Sequence, residues 1–255
     1  MNVTYLIGHR NGVPERIDNL TLILKWLQIH FDFDVIVIEQ DRKPQVHNLV
    51  EGMGFRYQFI YNAGLYNRSW AFNVGYRLVS SDVIICSDND IVMPAHCIKE
   101  SLTALEDQEA VSPYKNLYYL PRQKTAIFAK SMQFSRSLRS IIPDKPYSFA
   151  GGVVLLKTAT FEKIGGWDER FRGWGREDNA MEQKMAYLGI HRIVMPFQGY
   201  HLYHSRKQDQ KTHTNSQKNL DYLEEYSHLD DEKMAWLITT FQHDGGDIHK
   251  YRSES

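Results

Sequence analysis

The sequence is short of the features that assign a protein quickly. It has two cysteines, Cys86 and Cys97, in 255 residues. That is too few for a disulfide framework, so a reducing compartment is expected. No apolar run approaches the roughly 18 residues of a membrane span, and the longest are pieces such as Val35-Ile36-Val37-Ile38. The opening MNVTYLIGHRNG has no basic segment followed by an apolar one, so it does not read as a signal peptide. A cytoplasmic protein is the expectation, with peripheral contact to the inner face of a membrane left open. Charge of either sign is not in excess: 30 Lys+Arg face 31 Asp+Glu, a net of −1. That argues against a nucleic-acid partner, which a basic excess would signal. The first apolar run is followed by GHRNG rather than GxGxxG, so no dinucleotide fingerprint is present.

What is there is alternation. Val3–Gly8, Asp34–Glu39, Arg56–Tyr61 and Ser81–Ser87 read as strands. Between them, Ile17, Leu20, Leu24 and Leu27 fall at helical spacing after Pro14, and Ser69–Val79 reads as a second helix. Strand–helix alternation predicts an α/β fold with a mostly parallel central sheet and helices on both faces. Ligands of such sheets sit beyond the carboxyl ends of the strands. Those ends carry Gly8-His9-Arg10-Asn11, Glu39-Gln40-Asp41 and Asp88-Asn89-Asp90. Further on, Val153–Leu156 and His191–Met195 read as strands, Thr158–Ile164 and Glu177–Leu188 as helices, and the polar stretch Ser205–Asn219 as a mobile loop.

Four constellations carry chemistry, and each also has a plainer reading. Asp88 and Asp90 are two apart, so in an extended stretch both carboxylates face one side and suit Mg²⁺ or Mn²⁺; such triplets are also common as solvated turns. Glycines flank Trp174 in GWGRED, which lets that indole swing over a sugar face; it also reads as a core residue. Glu177 and Asp178 open a helix whose dipole favours ionised carboxylates, or are ordinary first-turn acids. His201 and His204 are three apart, which a regular strand cannot bring to one ion, so one ligand is expected unless the backbone turns. Arg68 lies at a helix start where a phosphate is met, or is simply solvated.

Taken in order, YNRSWAFNVGY, SDND, FAGGVVLLK, GGWDERFRGWGRED and HSRKQ resemble nucleotide-sugar glycosyltransferases of the GT-A fold. The resemblance is strongest to the β-1,4-galactosyltransferase family and to the GalNAc- and glucuronosyl-transferring domains of bacterial chondroitin- and hyaluronan-type polymerases. It runs from about Val3 to Asn219. It implies that Asp90 and His204 ligate Mn²⁺ (or Mg²⁺). His201 stands where some relatives have a ligand and galactosyltransferases have Met. Asp88 would contact the ribose or assist the metal. Arg10 and Arg68 would meet uracil or diphosphate, with Gly152 and Trp174 also on the donor. Phe149 would wall the donor-sugar pocket. Asp178 would be the catalytic base and Glu177 an acceptor-binding carboxylate, with Trp174 on the closing loop. The order Glu177-Asp178 implies inversion, so a UDP-sugar donor would yield a β-glycoside on a glycan or lipid-linked saccharide.

Two alternatives are a catalytically silent sugar- or nucleotide-binding module and a sugar-nucleotide pyrophosphorylase. GHRNGVPER supplies little of the Gly- and Arg-rich loop that the second would need. The domain reading is a catalytic domain over 1–220 and an acidic helical extension over 221–255. The near-zero total hides unlike parts: 115–145 carries a net +6, and 221–247 a net −7. The basic aromatic insertion 113–146 is read either as a flap toward an anionic acceptor, a membrane surface or a partner protein, or as a helical insertion with solvated charges.

Overall fold

The computed structural model describes residues 1–135, 138, 152–205 and 215–251. Its main sheet begins with β1 (Val3–His9), β2 (Asp34–Asp41), β3 (Arg56–Tyr61) and β4 (Val83–Asp88). These four pair in parallel in the order β3-β2-β1-β4. The helices α1 (Pro14–His30), α2 (His47–Gly52) and α3 (Arg68–Tyr76) make the crossovers. β1, β2 and β4 bury both faces, whereas the edge strand β3 buries only Ile60. Tyr5, Ile7, Val35, Val37, Val83 and Ile85 pack with Leu20, Ile23, Leu24 and Trp26 of α1. The alternate residues Leu6, Ile36, Ile38, Ile84 and Cys86 pack with Trp70, Phe72 and Val74 of α3. This period-two division between two helical layers explains why the strands read as continuous apolar runs.

Beyond β4 the direction changes. After β5 (Ile91–Val92) and α4 (Ala95–Asp107) come β6 (Ala110–Ser112), β7 (Asn116–Tyr119) and α5 (Arg122–Ser131). The strand expected at Val153–Leu156 is β8 (Val153–Lys157), antiparallel to both β4 and β6, so the sheet is mostly rather than wholly parallel. α6 (Thr158–Ile164) and α7 (Glu177–Tyr187) follow, and β9 (Arg192–Val194) closes the seven-stranded order β3-β2-β1-β4-β8-β6-β9.

A second sheet, β5-β10-β7, is built around β10 (Gln198–His201). Its sequence QGYH has no strand pattern, and pairing to β5 and β7 specifies it instead. The polar stretch expected to be a loop is partly helical. α8 (Ser216–Tyr226) starts within it, and residues 206–214 lie outside the described residues. α9 (Asp231–Asp244) follows. These two helices enclose Phe171, Ala180, Tyr226, Met234 and Leu237, and Arg77 of the first helical layer donates to the carbonyls of Gln242, His243 and Gly245. Both cysteines are free and buried, and no helix among the described residues is long and apolar enough to cross a membrane.

Candidate active site

The parallel register aligns the strand ends: Gly8 stands opposite Asp88. Gly8 has no room for a side chain, because a Cβ there would lie 2.3 Å from the Tyr66 hydroxyl. Asp88 donates its backbone N–H to the Gly152 carbonyl at 2.8 Å, which ties β4 to β8. Gly152 is likewise filled in, since a Cβ would fall 2.0 Å from Ile91 Cδ1 and 2.6 Å from the Tyr114 hydroxyl. Tyr114 is buried, and its hydroxyl has no hydrogen-bond partner among the described residues. Asn89 is held by His9 at 2.6 Å.

At this edge the chain folds three metal-type donors together. β10 ends at His201, and Leu202 then donates its N–H to the Asp90 carbonyl at 2.7 Å. Both imidazoles reach the same carboxylate: His201 Nε2 lies 3.6 Å and His204 Nε2 3.4 Å from Asp90. One donor atom from each of Asp90, His201 and His204 lies within 4.8 Å of the others. The strand ends at His201, so the alternation that would separate the two imidazoles stops there. One carboxylate with two imidazoles fits a divalent transition-type cation. Arg16, in the first turn of α1, ion-pairs with Asp90 and donates to Asn89 Oδ1 at 3.1 Å. Burial alone would raise the Asp90 carboxyl, but His201, Arg16 and His204 outweigh it and hold it below the ordinary range. Burial, helped by Arg16, lowers His204, so its imidazole is kept neutral as a ligand must be.

A second carboxylate group adjoins the first. The Asn67 side chain caps α3 by accepting from Trp70 N at 2.9 Å, and Arg68 is the next residue. Arg68 is 7% exposed, yet it is not solvated. Its Nε donates to Asp88 at 2.7 Å and its Nη1 to Asp178 at 3.0 Å, and its guanidinium lies over the rings of Phe72 and Trp167. Its Nη2 is buried without a partner. Arg68 thus joins the strand end to the start of α7. Burial raises Asp178 well above the usual carboxylate range; Arg68 opposes this, while Glu177 and Asp88 add to it. Burial likewise raises Glu177 and Asp88 against the pull of Arg68. The helix-dipole argument for ionised acids at this helix start is outweighed here.

The segment leading to α7 is a chain of left-handed turns: Gly165, Gly166, Gly173, Gly175 and Arg176 all have φ between 65° and 99°. Asn73 anchors its first half, accepting from Trp167 N at 2.8 Å and donating to the Trp167 carbonyl. Of the two tryptophans, Trp167 is the core residue, fully buried, whereas Trp174 between its glycines is 65% exposed. Gly173 N donates to the Tyr66 carbonyl at 2.7 Å, so this loop borders the site.

The structure therefore brings together Asp88, Asp90, His201 and His204, and links Asp178 to them through Arg68, with Glu177 beside it. Arg10 stands apart. Its one hydrogen bond is to the Asn62 carbonyl at 3.4 Å, and no ion pair joins it to these carboxylates among the described residues. Phe149 lies outside the described residues, as do Arg136 and Arg139 of the basic insertion. Sequence reasoning missed Arg16, Tyr114 and His9. Arg16 did leave a signal, because a base in the first turn opposes the helix dipole unless an acid faces it.

Comparison with known proteins bears on the fold. A family model described as the N-terminal domain of galactosyltransferase matches residues 133–207, which span GWGRED and both histidines. No curated protein matches the chain. Among solved structures, the catalytic domain of Drosophila beta1,4-galactosyltransferase 7, in complex with xylobiose, has a TM-score of 0.53 at 17% identity, covering 81% of this chain and 72% of its own. Glucosyl-3-phosphoglycerate synthase from Mycobacterium tuberculosis, in complex with Mn²⁺, UDP-glucose and phosphoglyceric acid, has a TM-score of 0.57 at 12% identity over 90% of this chain and 81% of its own. A mannosyltransferase from Pyrobaculum calidifontis, in complex with GDP-Man and Mn²⁺, has a TM-score of 0.54 at 15% identity over 94% of this chain and 73% of its own. The fold is that of the GT-A nucleotide-sugar transferases.

Proposed function

We propose that this chain is an inverting, metal-dependent glycosyltransferase that moves a hexose or N-acetylhexosamine from a UDP-sugar to a hydroxyl of a glycan or lipid-linked saccharide. The observation that carries the reading is the Arg68 bridge, which holds Asp88, beside the Asp90–His201–His204 cluster, and Asp178 on one guanidinium. A donor diphosphate at the first group and an acceptor hydroxyl at the second would then lie on either side of Arg68. The matched family segment and the Mn²⁺ and nucleotide-sugar complexes of the similar structures support it.

In this reading Asp90, His201 and His204 hold a divalent cation of the Mn²⁺ type, which when bound offsets negative charge on the departing diphosphate. Asp178 accepts the proton of the acceptor hydroxyl. The acceptor oxygen bonds to the anomeric carbon as the bond from that carbon to the phosphate oxygen breaks, and UDP departs. Attack from the opposite face turns an α-linked donor into a β-glycoside. Arg68 positions Asp178 and keeps it within reach of ionisation. Glu177 contacts the acceptor, and Trp174 packs on a sugar face and excludes water when its loop closes. Arg10 and Gly152 border the donor. A boundary at 220 would cut α8 (Ser216–Tyr226), so the catalytic unit of this reading takes in that helix.

The test is UDP release from a panel of UDP-Gal, UDP-GalNAc, UDP-Glc, UDP-GlcNAc and UDP-GlcA with and without Mn²⁺. At least one donor is expected to give Mn²⁺-dependent UDP and, with acceptor, a β-linked product by NMR. No UDP from any donor would overturn the assignment in favour of a silent binding module. Pyrophosphate from a nucleoside triphosphate would favour a pyrophosphorylase.

A further inference from the structure

A cleft of about 320 Å³ opens between the segment that leads to α7 and α8. Its walls include Leu65 after β3, Glu169, Arg170 and Arg172 from the segment before α7, Lys218 and Tyr222 from α8, and Lys250; the Glu169 carboxylate is taken up by Asn73, the Gly246 N–H and Lys250. It adjoins the candidate active site through shared segments. Leu65 stands three residues before Arg68, and Arg172 two before Trp174. The buried Asn219 of α8 donates to the carbonyls of Arg172 and Gly175, each at 3.0 Å, so the helix that carries Lys218 also clamps the Trp174 loop.

The cations of this cleft fall into two kinds. Arg170 is occupied: it is bidentate to Asp168 and holds Glu225 at 2.8 Å. Lys250 is also occupied, at 2.5 Å from Glu169. Arg172 and Lys218 are different. Both are exposed, neither has a carboxylate partner among the described residues, and each lies against a tyrosine ring, Arg172 at 5.0 Å from Tyr251 and Lys218 at 5.7 Å from Tyr222. Ring contact orders a cationic side chain without neutralising it. Two exposed cations that have no carboxylate partner among the described residues, on a cleft of ligand size with an aromatic wall, suit an oxyanion attached to a saccharide.

We propose that this cleft binds a carboxylate or phosphate group carried by the saccharide acceptor, with Arg172 and Lys218 as its cationic contacts. The proposal rests on the transferase reading for the word acceptor, but not for the binding. It assigns the anion preference to this cleft rather than to the basic segment 113–146.

Binding is measured by calorimetry on the full chain, without donor, using three matched disaccharides: neutral, glucuronate-terminated and phosphorylated. At least one anionic form is expected to bind about tenfold or more tightly than the neutral one, and the tighter of the two identifies the source of the charge. The double variant Arg172→Gln/Lys218→Gln, at exposed positions that leave the core intact, is expected to abolish that preference. The charge-keeping pair Arg172→Lys/Lys218→Arg is expected to retain most of it. Equal binding of all three sugars, or full anion preference in the Gln pair, would overturn the proposal. UDP release from donor alone reports separately on the transferase reading, so either idea can fail while the other stands.

Discussion

Asp90 and Asp178 belong to one constellation, and their surroundings push them in opposite directions. Asp90 faces two histidines and Arg16, and these hold it ionised against its burial. Asp178 faces a single shared guanidinium and two other carboxylates, Glu177 and Asp88, and its carboxyl is raised well above the ordinary range. The difference is one of partner count. Arg68 serves both Asp88 and Asp178, whereas Asp90 alone receives Arg16. A carboxylate kept anionic suits a cation ligand. One poised to take a proton suits general-base work, where a pKa moved toward the operating pH is useful.

The comparison breaks most completely at Asp178. Asp178→Asn keeps the shape and the Arg68 hydrogen bond but removes the proton acceptor. Transfer to acceptor is expected to fall about a thousandfold, read as UDP release with donor, acceptor and Mn²⁺, while Mn²⁺ affinity is unchanged. A variant with wild-type transfer would sink the base assignment. Asp90→Asn and His204→Ala should show the converse. Mn²⁺ affinity by calorimetry is expected to drop on the order of a hundredfold. If His204→Ala binds Mn²⁺ as wild type does, the cluster is not the metal site.

Much of this was legible before the structure, and the part that was not has a physical cause. Strand ends carrying Asp88 and Asp90 follow from apolar runs such as SDVIICS, because a strand buried on both faces must be apolar throughout. The pairing of His201 with His204 was not legible. A spacing of three is wrong for a strand, and β10 ends at His201 where Leu202 bonds to Asp90, more than a hundred residues earlier in the chain. Trp174 shows the opposite limit. Its glycine flanks suggested mobility and its residue type suggested core, and only Trp167, filling the core in its place, separates the two. The ionisation of Asp178 was misjudged because a helix start is a local feature. The burial and the carboxylates that oppose it come from three separate segments.

Glu177→Gln sharpens the contrast by a smaller amount. Removing one like charge beside Asp178 lowers the pKa of Asp178, so the base ionises at a lower pH. The acid limb of the transfer rate is expected to move down by about one pH unit, a roughly tenfold gain in relative rate on that limb. An acid limb that stays in place or moves up would show that Glu177 does not set the ionisation of Asp178.

Arg16 offers the finest adjustment, because Asp90 is the one carboxylate it ion-pairs with among the described residues. Its guanidinium pairs with the same carboxylate that the proposed cation would use, so the two positive charges compete for Asp90. Arg16→Met keeps the aliphatic stem and removes the charge. Mn²⁺ affinity is expected to rise about threefold at low salt and by less at high salt, since a charge of this kind, partly open to solvent, is screened. A fall in Mn²⁺ affinity would mean that Arg16 holds Asp90 and Asn89 in the ligating arrangement rather than competing for them. The environment of Asp90 would then be a built cation cradle, and the low pKa of its carboxyl a consequence of that construction.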